Sequence, residues 1–160
     1  MQLRREFPTS EQLAAPKTAC LADPVGEPKD LRRSILVVDD DRCLRELLSI
    51  HLSNAGYLVS TAEDAVVAGR LILKNAPALI IMDAQMPFMT GYELAAVLRT
   101  DERTREIPVV FLTSDDNAPD RAARLGAVAC LRKPVIADRL LDLVALYVSK
   151  LDVEPVQPDG

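Results

Sequence analysis

Short apolar runs recur along this chain, and the stretches between them repeat apolar residues at helical spacing; no other feature limits the possible fold as much. SILVV from Ser34, YLVSTA from Tyr57, ALIIM (78–82), PVVFLT (108–113) and AVACL (127–131) have the length and side-chain types of strands. SILVV and ALIIM lack polar alternation, as strands buried on both faces do. Residues 41–55 place Leu44, Leu47, Leu48 and Leu52 at helical spacing, and Gly56 stops them. A second helix is expected over 62–75 with Val66, Val67, Gly69, Ile72 and Leu73, and a third over 92–99 with Leu94, Val97 and Leu98. Asp116 or Asn117 is placed to cap a fourth that Pro119 begins, and 136–150 forms the last. Strands alternating with helices over short connections predict an α/β fold, a doubly wound parallel sheet with helices on both faces.

The ends of the chain read differently. Residues 1–33 contain four prolines and mixed charges without periodicity, which predicts a flexible extension. The ordered domain is expected over 34–150, with a disordered tail over 151–160. Tryptophan is absent and aromatics make up 4%, so Leu, Ile, Val and Ala must build the core. The net charge of −5 argues against direct nucleic-acid binding, which needs clustered Lys and Arg. Cys20, Cys43 and Cys130 are too scattered for a disulfide framework or a metal pair, favouring a reducing compartment. No apolar run nears the roughly 18–20 residues of a membrane span. The N-terminus lacks the apolar stretch of a signal peptide, so the expectation is a cytoplasmic chain without membrane insertion.

Function in such a fold belongs outside the carboxyl ends of the strands, here positions 39–41, 83–91, 113–116 and 132–134. The first strand ends in Asp39-Asp40-Asp41, the third in Asp83, the fourth in Thr113-Ser114 and the fifth in Arg132-Lys133-Pro134. Carboxylates gathered on one spot repel, so the pocket calls for a hard divalent cation with oxygen ligands, and magnesium fits. Lys133 adds a positive charge and Thr113 a hydroxyl, a set suited to phosphoryl transfer by positioning and charge neutralisation.

ILVVDDD, LIIMDAQMPFMTGYEL, IPVVFLTS and CLRKP, in that order, resemble the motifs of receiver domains in two-component response regulators, over about residues 34–149. The resemblance implies a flavodoxin-like sheet of order 2-1-3-4-5. It implies that Asp83 accepts a phosphoryl group from a histidine kinase or a histidine phosphotransfer protein. It further implies that Asp40 ligates Mg2+ directly and that Asp39 assists or acts through a bound water. The Gln85 backbone carbonyl would complete the protein ligands, leaving its side chain to tune dephosphorylation. Thr113 would hydrogen-bond the phosphoryl oxygens, Lys133 would pair with them, and the Lys133-Pro134 bond would be cis. Such a chain is a signalling phosphoacceptor more than a conventional enzyme. Its output would pass through the face of helix 4, strand 5 and helix 5 to a downstream protein or a second copy. The apolar breadth of the last helix, from Leu140 to Val148, agrees with such a face. Two positions depart from the family. Cys130 stands where many receivers carry an aromatic that swings inward, and Thr90 replaces an Asp while keeping the ability to cap a helix.

Plainer readings compete at several positions. The Asp39–Asp41 run also suits a helix cap, although one aspartate would suffice. His51 and Cys130 read as packing residues, as do Met82, Met86 and Met89, whose soft thioethers do not suit magnesium. A phosphohydrolase of the haloacid dehalogenase type also uses a nucleophilic Asp with magnesium, and Asp39-Asp40-Asp41 contains its D-x-D. Arg42 and Cys43 stand where its hydroxyl residue is expected, and the later acidic pair is missing. A flavin-binding domain would need a Ser/Thr/Gly-rich loop after the first strand, which is absent.

Overall fold

The computed structural model describes residues 33–152. The expectations for residues 1–32 and 153–160 lie outside that range. Strands β1 (Ser34–Val38), β2 (Leu58–Ala62), β3 (Leu79–Asp83), β4 (Val109–Thr113) and β5 (Ala129–Arg132) alternate with helices α1 (Arg42–Asn54), α2 (Ala65–Asn75), α3 (Gly91–Thr100), α4 (Ala118–Arg124) and α5 (Ala137–Asp152). All strands are parallel, in the order β2-β1-β3-β4-β5.

Period-two alternation divides the core between the two faces. Ile35, Val37, Leu79, Ile81, Val110 and Leu112 face α1 and α5, meeting Leu48, Leu52, Leu140, Val144 and Val148. Leu36, Val38, Ile80, Met82, Val109 and Phe111 face α2, α3 and α4, whose Ala68, Ile72, Leu94, Leu98 and Ala122 close over them. The central strands β1, β3 and β4 are therefore buried almost throughout, as continuous apolar runs require. β2 and β5 are edge strands and stay partly open.

Several expectations shift. The second helix starts at Ala65, not at 62, because Ala62 completes β2 and the Asp64 carboxylate caps the helix through the Val67 N–H. Leu47, Val66, Leu73 and Val97, members of the apolar helical patterns, lie in solvent. The fifth strand begins two residues later than expected and ends on Arg132. Asn117 occupies the cap position of α4 but makes no side-chain cap bond. Its N–H instead donates to Asp115 Oδ1 at 2.9 Å. α5 runs to Asp152, past the expected limit of 150. Its apolar breadth mostly serves this domain: Leu141, Leu143 and Tyr147 pack on the core beside the buried stripe, and of the large apolar residues from Leu140 to Val148 only Leu146 is well exposed. No helix among the described residues is long and apolar enough to cross a membrane.

Candidate functional site: an acidic pocket at the carboxyl edge of the sheet

Register builds the pocket. Val38 pairs with Met82, so Asp39 and Asp83, one step on, leave the sheet edge side by side. Val37 and Ile81 face α1 and α5, and alternation sends both carboxylates the same way. One carboxylate oxygen from each of Asp39, Asp40 and Asp83 lies within 4.8 Å of the others. Lys133 extends the β4–β5 ladder, its N–H donating to the Thr113 carbonyl at 2.7 Å. From there its Nζ reaches Asp39 Oδ2 at 3.0 Å and Asp83 Oδ2 at 3.0 Å.

The two buried carboxylates are held alike. Asp39 Oδ1 accepts the Asp41 N–H at 2.8 Å, and Asp83 Oδ1 accepts the Gln85 N–H at 3.0 Å. The second oxygen of each faces Lys133. Asp39 is fully buried, whereas Asp40 projects into solvent with its carboxylate open. Asp41 takes the plainer role, capping α1 by accepting from the N–H groups of Cys43 and Leu44. Both readings of the aspartate run therefore apply, to different members of it.

Burial pushes the Asp83 carboxyl above its ordinary pKa, against the pull of the Gln85 N–H and of Lys133. Burial acts on Lys133 in the opposite sense, but its hydrogen bonds to Asp83 and Asp39 outweigh that and leave its pKa raised. Three carboxylates and one ammonium leave a formal charge of about −2 in an all-oxygen donor set, which matches a hard divalent cation. The Lys133-Pro134 bond is cis.

The loop from Asp83 to α3 is equally specified. A Cβ on Gly91 would run into the Asp83 carbonyl oxygen, so only glycine lets α3 start this close to the end of β3. Its N–H donates to the Ala84 carbonyl at 3.1 Å, and Thr90 with Glu93 forms a full capping box. Met82 and Met86 are buried there as expected, but Met89 is exposed, and Phe88 stands wholly in solvent at φ +69°. Gln85 is also exposed.

Thr113 lies one residue past Leu112, which is in register with Asp83. It is buried on the α2–α4 face with Phe111, and its hydroxyl accepts the Asp115 N–H at 3.0 Å. Sequence reasoning missed three supporting residues. Arg45 donates to the Asp39 carbonyl at 2.6 Å, Gly91 makes the close approach just described, and Tyr92 packs beside Thr113. The glycine directly after a capping threonine was the available signal for the second; the other two contacts depend on tertiary placement. His51 is a half-buried helix residue, and burial raises the pKa of the Cys130 thiol, the reverse of an activated cysteine. A cleft of about 380 Å³ between the β2 edge and the end of α2, lined by Leu58, Leu71 and Asn75, carries no ionisable group.

A doubly wound parallel sheet with an acidic pocket and a lysine at its carboxyl edge defines a narrow class of α/β domain. The family model for the response regulator receiver domain matches residues 35–145. The chain is 41% identical over 109 residues to the response regulator MprA of Mycobacterium sp. (strain KMS), covering 67% of this chain and 46% of that protein. It is 35% identical over 123 residues to the DNA-binding dual master transcriptional regulator RpaA of Synechocystis sp., covering 76% and 51%. The chain thus spans about half the length of these curated relatives. Among solved structures, the chemotaxis response regulator CheY4 of Vibrio cholerae superposes with a TM-score of 0.67 at 31% identity, covering 71% of this chain and 97% of that one. The signal receiver domain of a signal transduction histidine kinase from Syntrophus aciditrophicus gives 0.69 at 31%, covering 79% and 98%. This chain belongs to the response regulator receiver domain family, and two-component signalling is its class of function.

Proposed function

We propose that Asp83 is the phosphoacceptor of this receiver domain, and that Asp39, Asp40, Asp83 and the Gln85 backbone carbonyl hold a magnesium ion beside it. The observation that carries the reading is the joint contact of Lys133 with Asp39 and Asp83 inside a three-carboxylate cluster. An Asp83 oxygen attacks the phosphorus of a phosphohistidine; the new P–O bond forms as the P–N bond breaks, and the imidazole leaves. Lys133 holds the acceptor carboxylate in place and faces the charge that accumulates on the phosphoryl oxygens. Thr113 donates its hydroxyl hydrogen to one of those oxygens. Bound magnesium supplies charge neutralisation for the carboxylate cluster and the incoming phosphoryl group.

The donor on this reading is a histidine kinase or histidine phosphotransfer protein, and the chain catalyses only its own phosphorylation and dephosphorylation. A cytoplasmic setting goes with it, as does a domain spanning 34–150 with separate terminal segments. Output runs through the α4–β5–α5 face to a protein target or a second copy, and exposed Ile136 and Leu146 support that assignment. Incubation with acetyl phosphate and magnesium, read by intact mass, tests the reading. One phosphoryl group should add to the wild type, with a slower rate in Asp40→Asn and Lys133→Met. Magnesium-independent uptake, or rates unaltered in both variants, would remove the pocket from the chemistry.

A further inference from the structure

Tyr92 is the second residue of α3 and only 4% exposed. Its ring packs on Phe111 with centroids 4.9 Å apart, and the Arg121 guanidinium carbon sits 4.2 Å from its centroid. The hydroxyl is buried and makes no hydrogen bond of ordinary geometry, the one buried side-chain polar atom among the described residues in that position. A buried unpaired hydroxyl costs about 1–3 kcal/mol, so its persistence asks for a state in which it is paired.

The side chain that interacts with this hydroxyl is that of Thr113. Tyr92, Phe111 and Cys130 belong to the same face of the sheet, and Thr113, two residues beyond Phe111, points to that side at the rim. Burial raises the Tyr92 pKa, and a side-chain interaction with Thr113 that falls short of ordinary hydrogen-bond geometry lowers it in part. A threonine hydroxyl carries one donor and two acceptor sites. Here one acceptor site takes the Asp115 N–H, which leaves the second. Once the Thr113 hydrogen is committed to an anion on Asp83, the remaining lone pair is fixed in direction and available to a neighbouring donor.

Resting on the reading of Asp83 as acceptor, we propose that Tyr92 is a positioning residue for the phosphorylated state: its hydroxyl donates to Thr113 when Thr113 donates to the phosphoryl group. The three groups then form one chain, Tyr92 O–H to Thr113 O–H to phosphoryl oxygen, which holds Thr113 against the anion. The far side of the tyrosine lines a surface cleft of about 320 Å³ between α3 and α4, shared with Glu93, Arg121 and Arg124. Pocket occupancy thereby reaches that cleft through a single side chain.

The chain has three tyrosines and no tryptophan, so its near-ultraviolet spectrum reports tyrosines directly. Beryllium fluoride with magnesium, a stand-in for a phosphoryl group on a carboxylate, should red-shift a tyrosine band in the wild type as a phenol gains an acceptor. Tyr92→Phe keeps the ring and loses the hydroxyl. In that variant the shift should vanish and beryllium fluoride should bind about fivefold more weakly, the equivalent of one neutral hydrogen bond of about 1 kcal/mol. Magnesium binding measured alone checks that the pocket of the variant is intact. The same shift in both proteins with equal beryllium fluoride affinity overturns the role of Tyr92 and leaves the acceptor reading standing. Failure of the wild type to bind beryllium fluoride by calorimetry overturns both.

Discussion

At Asp83 two demands on one side chain conflict. Its carboxylate sits at the end of a buried strand, where ionisation is disfavoured, yet the nucleophile role proposed for it requires the ionised form. Lys133 and the Gln85 N–H reduce the penalty without removing it, so the folded pKa stays above the unfolded one. The sign follows from linkage: the contribution of Asp83 to stability is fully present below its unfolded pKa and is lost as pH rises through the raised folded value. Asp83→Asn should therefore raise the metal-free melting temperature at neutral pH, with the gain shrinking toward pH 3, as thermal scans across pH would record. Gly91 stands close against the backbone of the same residue. Gly91→Ala forces a Cβ into the Asp83 carbonyl, and urea titration should register a loss of about 1–3 kcal/mol or more. Asp39, Asp83 and Lys133 were legible in the sequence because they stand at the ends of separate apolar runs that a parallel sheet must bring to one rim. The division of labour between Asp40 and Asp41 was not, since a capping carboxylate and a pocket carboxylate look identical until the helix start is fixed.

Elements differ in how openly the sequence declares them. β1, β3 and β4 were readable as runs because they are covered on both faces, while β5 was misplaced by two residues because an edge strand is shorter and only half buried. Helical apolar stripes overstated the core: Val66 and Leu73 flank the buried line of Ala65, Ala68 and Ile72 but turn outward. Periodicity locates a face without fixing its width, and small alanines, which carry much of the α2 contact, give a weak signal. α5 shows the contrast within one helix. Leu140→Ala, at a site with no exposure, should cost about 2–5 kcal/mol. Leu146→Ala, at an exposed site six residues on, should stay within about 0.5 kcal/mol in the same denaturation assay. If self-association accompanies phosphorylation, Leu146→Ala should weaken it and leave monomer stability unchanged, as light scattering would show.

For the whole molecule, the sheet order matters more than any single contact. Placing β3 between β1 and β4, with β5 beyond, brings to one rim residues separated by 94 positions in sequence, as Lys133 and Asp39 are. Folding therefore concentrates negative charge that the unfolded chain keeps apart, and a cation that binds only the folded pocket must stabilise it. At magnesium a hundredfold above its Kd the gain is about 2.7 kcal/mol. Differential scanning fluorimetry should show a rise in melting temperature with millimolar magnesium that Asp40→Asn diminishes. The most direct measurement locates the phosphoryl group itself, by peptide mapping after acetyl phosphate treatment in magnesium. A single adduct is expected on the peptide containing Asp83, absent in Asp83→Asn. An adduct on the Asp39–Asp41 run or on Asp115-Asp116, with Asp83 unmodified, would contradict it.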